Sequence, residues 1–425
     1  MFILRLLSLA PLALASVLPR EEAVNYDGYR VYRIATAGQD AAVLDALSAL
    51  EYEQWAHKAS DYIDLSIAGN MIDTFESLGL DYQVMHADLG ADIAKEAEGM
   101  AAPVKRQAGS QGPESTWFNA YHSYADHVQY WRDLVAGFPN NAQRFTAGSS
   151  FENREIFGVK LFGNGTATNK PALVWHGTVH AREWISTMTV EFLAASIVDG
   201  YKRGDPEFTA ALDKFDIYIL PVVNPDGFVF SQRLDRLWRK NRVPGPSVLG
   251  RVCYGTDINR NWPYQWTGDP RGASTDPCAQ TYKGRSAGDT PEMKALTAQL
   301  KTVTDRQNLV QYIDFHSYGN YLLSPYGYTP SQPANGAQQV SLAERAAAAI
   351  EAVHGTEYTT GPSGATLYPT TGSSCDYAQD VAGADYSYTF ELRDTGTFGF
   401  LLPANQIRPT GEEVLAGVKV LLAGI

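Results

Sequence analysis

The chain has 425 residues, enough for two domains or one large domain with an appendage. Its composition, 44% hydrophobic and 19% charged, is that of a globular protein. A formal net charge of −13 argues against nucleic acid as a partner, because phosphate binding needs a basic surface.

The chain opens MFILRLLSLAPLALA, an apolar run with one arginine near its start. The run is too short for a comfortable membrane span. It ends in Ala13-Leu14-Ala15, a small-x-small pattern. Residues 1–16 therefore read as a secretory signal peptide, and a secreted, extracellular protein is expected. No later stretch is apolar and long enough to span a bilayer, so no membrane partner is expected.

Residues 28–98 carry the pattern of a small α/β unit. GYRVYRIA, DYIDLSIA and LDYQVMHAD are strand-like, whereas AAVLDALSALE and MIDTFESLG have helical spacing. The pattern then dissolves into AKEAEGMAAPVKRQAGSQGPEST, small and polar, with Lys105-Arg106 in its middle. Such linkers are where chains are cut. After a signal peptide, an exposed Lys-Arg pair predicts processing by a dibasic-cleaving protease; an ordinary interdomain linker is the alternative. The expected organisation is a signal peptide (1–16), a pro-segment with its linker (17–106) and one large domain (107–425). No internal repeat or low-complexity tract is present.

Beyond the linker, the sequon Asn164-Gly165-Thr166 lies in a Gly/Asn-rich turn and is a plausible glycan site. Continuous apolar runs at 172–175, 215–223, 309–315 and 386–390 read as strands buried on both faces. Helical patterns fall near 184–199, 291–303, 340–353 and 411–423. The alternation predicts an α/β fold, a mixed, mostly parallel central sheet with helices on both faces. Of the three cysteines, Cys253 and Cys278 are expected to pair in an oxidising compartment, leaving Cys375 alone.

In such sheets ligands bind at strand ends, where the chain places its conspicuous polar residues. HGTVHAREWIS, residues 176–186, follows the first strand. His180 and Glu183 are three apart and face the same way on a turn. One imidazole and one carboxylate begin a zinc site, and a catalytic zinc needs a third protein ligand. His316, at the end of the 309–315 run, qualifies. His-x-x-Glu alone is more often a capped helix start. Of the other histidines, His57 and His86 lie in the segment expected to be removed, His122, His127 and His354 in helix-like surface contexts, and His176 among packing neighbours. Asp257 in GTDINRNW is a candidate to orient His180.

Four further patches stand out. DRLWRKNR carries Arg236 and Arg239, DINRNW carries Asn259 and Arg260, TLYPTTGSSCDY carries Tyr368, and YTFELRDTG carries Glu391. Glu391, directly after an apolar strand, fits a buried general base with a raised pKa. Singly each patch has a plainer reading: solvated arginines, or an ion pair of Glu391 with Arg393.

Together they do not. HARE-W-I, LWRK-R, D-x-NRNW, HSY, LY followed by G-x-x-x-D, and FELRDTG occur in the order of the A/B-type zinc metallocarboxypeptidases. The chain resembles this family from about Trp117 to the C-terminus, and more loosely in the pro-segment. The resemblance implies one Zn2+ held by His180, Glu183 and His316, with Glu391 as the catalytic carboxylate. It further implies that Arg239 steadies the oxyanion, and that Asn259 and Arg260 grip the terminal carboxylate of the substrate. Tyr368 matches a mobile tyrosine that closes over substrate, and Arg182, Arg236, Tyr318 and Phe400 fall where the family lines its outer subsites.

Counting from Tyr368, the selecting position of the terminal side-chain pocket falls on Cys375. The basic-selective branch has aspartate there and the apolar-selective branch an aliphatic residue. A neutral thiol behaves as a small hydrophobe, so apolar and aromatic C-terminal residues are expected over Lys or Arg. Asp376, on a strand-like segment, is expected to point away. The pro-segment resembles an inhibitory domain, which implies a zymogen. The expected partners are peptide C-termini and a processing protease, and a monomer is expected. The rival readings are a non-catalytic zinc- or peptide-binding relative, an enzyme acting on amidated amino acids, and a carboxypeptidase of basic or broad specificity.

Overall fold

Two sheets of unequal size organise the chain in the computed structural model, which describes residues 22–100, 112–164, 170–248, 250–269 and 271–425. The expected signal peptide, the Lys105-Arg106 pair and Gly165-Thr166 of the sequon lie outside the described residues. Among those residues no helix is long and apolar enough to cross a membrane.

The small N-terminal sheet has the order Tyr52–Lys58, Tyr62–Ile67, Arg30–Ala35, Tyr82–His86, all antiparallel. Tyr32, Ile34, Ile63 and Leu65 meet Leu47 and Phe75 from the helices Asp40–Leu47 and Ile72–Glu76. The sequence reading contains neither the strand Tyr52–Lys58 nor the helix Leu89–Glu98. The strand buries only Trp55 and the helix only Leu89, so neither has the apolar period that reveals an element.

The large sheet has eight strands in the order Thr359–Pro362, Tyr321–Ser324, Tyr386–Leu392, Leu309–Ser317, Ala172–Gly177, Asp216–Leu220, Glu155–Leu161, Ala142–Ser149. Its centre is parallel, from Tyr386–Leu392 across to Asp216–Leu220; beyond it Tyr321–Ser324, Glu155–Leu161 and Ala142–Ser149 pair antiparallel, and the edge strand Thr359–Pro362 pairs parallel with Tyr321–Ser324. This is the expected mixed, mostly parallel sheet. The central runs are continuously apolar because each buries both faces. Leu173 and Trp175 enter one core, under the helices Trp184–Arg203 and Ile407–Ala423, while Ala172 and Val174 enter the other, under Pro291–Thr304. The strand in the apolar run at 215–223 ends at Leu220, where Pro221 has no N–H to continue the ladder, and Val223 N then donates to the Gly177 carbonyl at 3.1 Å. The Cys253–Cys278 disulfide forms as expected, and Cys375 is free and buried.

The central strands present their C-terminal ends on one side. Parallel register sets His316 opposite Glu391 and Phe315 opposite Gly177, so three loops of the sequence reading converge. Replacing fully buried Leu193 of the helix Trp184–Arg203 by alanine is expected to cost about 2–5 kcal/mol, read as a lower denaturant midpoint.

Candidate active site

The loop after Ala172–Gly177 is bound to its neighbours before it offers any functional group. Gly177 passes beneath Pro221, whose carbonyl oxygen would lie 2.8 Å from a Cβ at that position. Ser186 Oγ accepts from Thr178 N at 2.9 Å and donates to the carbonyl of Phe315 at 2.5 Å. Ser186 thereby ties the His180 loop to the strand that carries His316. Ala181 N donates to the carbonyl of Arg239, bringing in a third segment.

His180, Glu183 and His316 meet in this junction, all buried. Glu183 Oε1 is 2.7 Å from His180 Nδ1, Glu183 Oε2 is 3.0 Å from His316 Nδ1, and the two Nδ1 atoms are 3.0 Å apart. Each outer nitrogen faces a carboxylate: His180 Nε2 lies 3.1 Å from Asp257 Oδ1, and His316 Nε2 lies 3.1 Å from Asp314 Oδ2. A proton on each Nε2 leaves both Nδ1 lone pairs directed at each other and at a carboxylate. Burial would raise the Glu183 pKa, but His180 and His316 outweigh it and hold the carboxyl far below its usual range. Two imidazole nitrogens and one carboxylate converging in this way fit a zinc ion.

Glu391 stands beside this trio on Tyr386–Leu392, its strand neighbours Phe390 and Leu392 turned into the core. The alternative pairing with Arg393 does not occur, because Arg393 Nε donates to Glu413 at 2.9 Å. Desolvation pushes the Glu391 carboxyl up to about 8; His316 and Arg239 oppose the rise, Glu183 and Asp314 add to it. Positive charge at the trio would bring it down. Arg239 is held by Asp257 Oδ2, 3.0 Å from its Nε, and its nearest guanidinium nitrogen is 4.0 Å from Glu183. Asp257 therefore steadies His180 with one oxygen and Arg239 with the other.

Asn259 and Arg260 follow Asp257 in the short turn Ile258–Arg260, which Asp257 caps through Asn259 N. Asn259 Oδ1 accepts from Ser374 N at 2.8 Å, and its Nδ2 lies 3.4 Å from His316 Nε2. Arg260 donates to the carbonyl of Asn259 and, at 3.4 Å, to Tyr368 Oη; its Nε is buried with no partner. Cys375 lines the same cleft with Leu323, Gly327 and Thr389. Burial pushes its thiol up, so it stays neutral.

Three sequence expectations change. Residues 374–380 form a helix, not a strand, capped by Ser373 Oγ on Asp376 N. Asp376 still turns away from the cleft, accepting from Gly327 N and Tyr328 N at 2.9 and 3.1 Å, with burial pushing its carboxyl up to about 6. The angle between helical neighbours, not strand alternation, separates it from Cys375. His122 and His127 are buried, not at the surface: His127 Nδ1 is 2.8 Å from Glu191, and the His122 ring stacks on Trp117. His354 is part exposed at a helix end, and His176 packs in the core against Tyr312, as expected.

The N-terminal sheet covers the cleft. Trp55, His57 and Tyr62 line it together with His180, Glu183, Arg239 and Arg260. Arg182 donates to Glu53 at 2.9 Å, Arg236 to Glu96 at 2.9 Å, and Tyr318 to Asp64 at 2.7 Å. Phe400 packs on Trp55, and His57 stacks on Tyr368 at 5.8 Å. Arg236 lies behind Arg182, bonded to its carbonyl, with its guanidinium over the Trp184 ring.

With this geometry in place, comparison with known proteins is decisive: the zinc carboxypeptidase family profile matches residues 127–417. The chain belongs to the zinc carboxypeptidase family. A metallocarboxypeptidase A-like protein of Trichophyton verrucosum is 42% identical over 429 residues, 99% of each chain. Metallocarboxypeptidase A of Trichophyton tonsurans is 40% identical over 407 residues, 94% of each chain. The solved structure of carboxypeptidase A from Helicoverpa armigera shares the fold with a TM-score of 0.81 and 28% identity, covering 94% of this chain and 98% of that one.

Around the site of this metallocarboxypeptidase lie groups that the sequence reading did not single out. Asp314 had a signal available, since a carboxylate two residues before a strand histidine shares its face. Trp55, His57 and Tyr62 had none, because only the fold of the preceding segment brings them to the cleft. Chelation is expected to abolish hydrolysis and added Zn2+ to restore it. His180→Ala, Glu183→Ala and His316→Ala are each expected to lower bound zinc, measured by elemental analysis.

Proposed function

We propose that this zinc carboxypeptidase is a secreted zymogen that, once cut, releases apolar and aromatic C-terminal residues from peptides, acting as a monomer. The observation that carries the reading is the convergence, at one end of one cleft, of the His180–Glu183–His316 trio, Glu391, and the arginines 239 and 260. Zinc, when bound by the trio, lowers the pKa of a water and polarises the scissile carbonyl. Glu391 accepts the proton of the attacking water and delivers it to the leaving amine. Arg239, held by Asp257, faces the developing oxyanion. Arg260 has a buried donor without a partner, which suits the substrate's terminal carboxylate, and the Asn259 amide assists. Tyr368, half-buried and within reach of Arg260, closes over the bound residue.

The neutral thiol of Cys375 and the diversion of Asp376 to backbone amides support an apolar terminal pocket. A basic side chain there would meet no carboxylate at the selecting position. The hydrogen bonds of Glu53, Asp64 and Glu96 to Tyr318 and the two outer arginines support an inhibitory role for the pro-segment, relieved by a processing protease at Lys105-Arg106.

The test is hydrolysis of blocked dipeptides ending in Phe or Arg by protein cut at the dibasic pair. Release of Phe with little Arg is expected, and preferred release of Arg would overturn the specificity. Cys375→Asp is expected to shift the Arg-to-Phe ratio of kcat/KM upward by at least about tenfold, the scale of one pocket contact. Glu391→Gln is expected to lower kcat by on the order of 10²–10⁴ with zinc content unchanged. The uncut chain is expected to be less active than the cut one; equal activity would remove the zymogen reading.

A further inference from the structure

Asp314 is a buried carboxylate to which the mechanism above assigns no task. It stands two residues before His316 on the strand Leu309–Ser317, where side chains two apart project from the same face. Its Oδ2 lies 3.1 Å from His316 Nε2. The same oxygen accepts from Ser374 Oγ at 2.5 Å, and Ser374 N in turn donates to Asn259. The carboxylate is thus braced from behind by the helix that presents Cys375. On the same strand face, Tyr312 turns its hydroxyl to His176 Nδ1, so it does not compete for Asp314.

The contrast with Asp257 is one of charge. Asp257 faces His180 but divides its charge with the Arg239 guanidinium, 2.9 Å away. Among the described residues no lysine or arginine pairs with Asp314, and its Oδ1 is buried with no partner. The His316 ring is therefore the nearest protonatable group to its charge, and Ser374 adds only a neutral hydrogen bond. A carboxylate on the outer nitrogen of a ligating imidazole fixes the tautomer and ring orientation, and it makes the inner nitrogen more basic.

We propose that Asp314 is a positioning residue for the metal: it holds the proton of His316 on Nε2 and strengthens Nδ1 as a zinc donor. The proposal rests on reading His316 as a zinc ligand. Asp314 touches neither substrate nor metal, and it acts through the ring.

The test is the rate at which the zinc-loaded full chain gives up its metal to a chromogenic chelator. Asp314→Asn keeps an acceptor oxygen and the shape but removes the charge; Asp314→Ala removes both. Zinc release is expected to quicken by about tenfold in the first and up to about 100-fold in the second. A merely structural residue would instead show quickened release only together with loss of the native fold. Metal-free Asp314→Asn loses its buried pairing with the His316 ring and is expected to melt lower than the metal-free wild type, so the release rate is compared only where the zinc-loaded variant keeps the wild-type circular dichroism. Should Asp314→Ala not fold, Asp314→Asn carries the test. Zinc release from Asp314→Asn at the wild-type rate, or quickened only where the variant has lost the wild-type circular dichroism, overturns the proposal. A wild-type chain that takes up no zinc overturns the metal reading first, and this inference with it.

Discussion

The molecule is organised around an electrostatic conflict. Glu183, Asp257 and Asp314 are buried around two imidazoles, with Glu391 beside them. Buried carboxylates need counter-charge, since burial without it costs several kcal/mol per ion. Arg239 answers for Asp257 and reaches Glu183 only at 4.0 Å, so Asp314 and Glu183 have the two histidines as their nearest cationic partners. The site is therefore built to attract a cation at the inner faces of the two rings, and the fold has to hold that arrangement against its own repulsion. It does so with the stiffest part available, the parallel centre of the large sheet. His316 and Glu391 sit in register on paired strands, and Ser186 ties the His180 loop to the first of them.

The elements that bury two faces were legible in the sequence, because a run such as Leu173-Val174-Trp175 has no polar position to obscure it. Elements with one shallow contact were not: Tyr52–Lys58 rests on Trp55 alone. The site was legible through motifs that each mean little separately. Their chain order spoke for a family, and the fold then brought them to one cleft. Burial of His122 and His127 was not legible, since their helix-like setting gives no sign of the aromatic pocket of Trp117 and Phe228 that encloses them. The start of the helix Ser374–Asp380 was read as a strand because its Ser373 cap lies within a run of glycine, serine and threonine that resembles any loop.

The N-terminal unit, residues 22–100, meets the larger unit through groups to which the proposed function gives other tasks. Arg182 borders the groove beneath that unit and Arg236 lies behind it, and they hold Glu53 and Glu96. Tyr318 and Phe400 hold Asp64 and Trp55 in the same way. The contact therefore interleaves buried charge-assisted hydrogen bonds with the rings of Trp55 and Phe400. Tyr368, which on the proposed mechanism must move, is stacked on His57.

Cys375 and Asp376 are consecutive residues, one turned into the terminal pocket and the other turned onto the amides of Gly327 and Tyr328. The helix that carries them begins only one residue earlier. On the proposed specificity, the carboxylate that would favour the opposite class of substrate is already encoded and lies one position along the same turn. A single-residue deletion ahead of Ser374 that re-phased the helix start would bring the Asp376 carboxylate to the place of the Cys375 thiol. In evolutionary terms, this scaffold sits one indel, rather than a redesigned pocket, from the other branch of substrate preference.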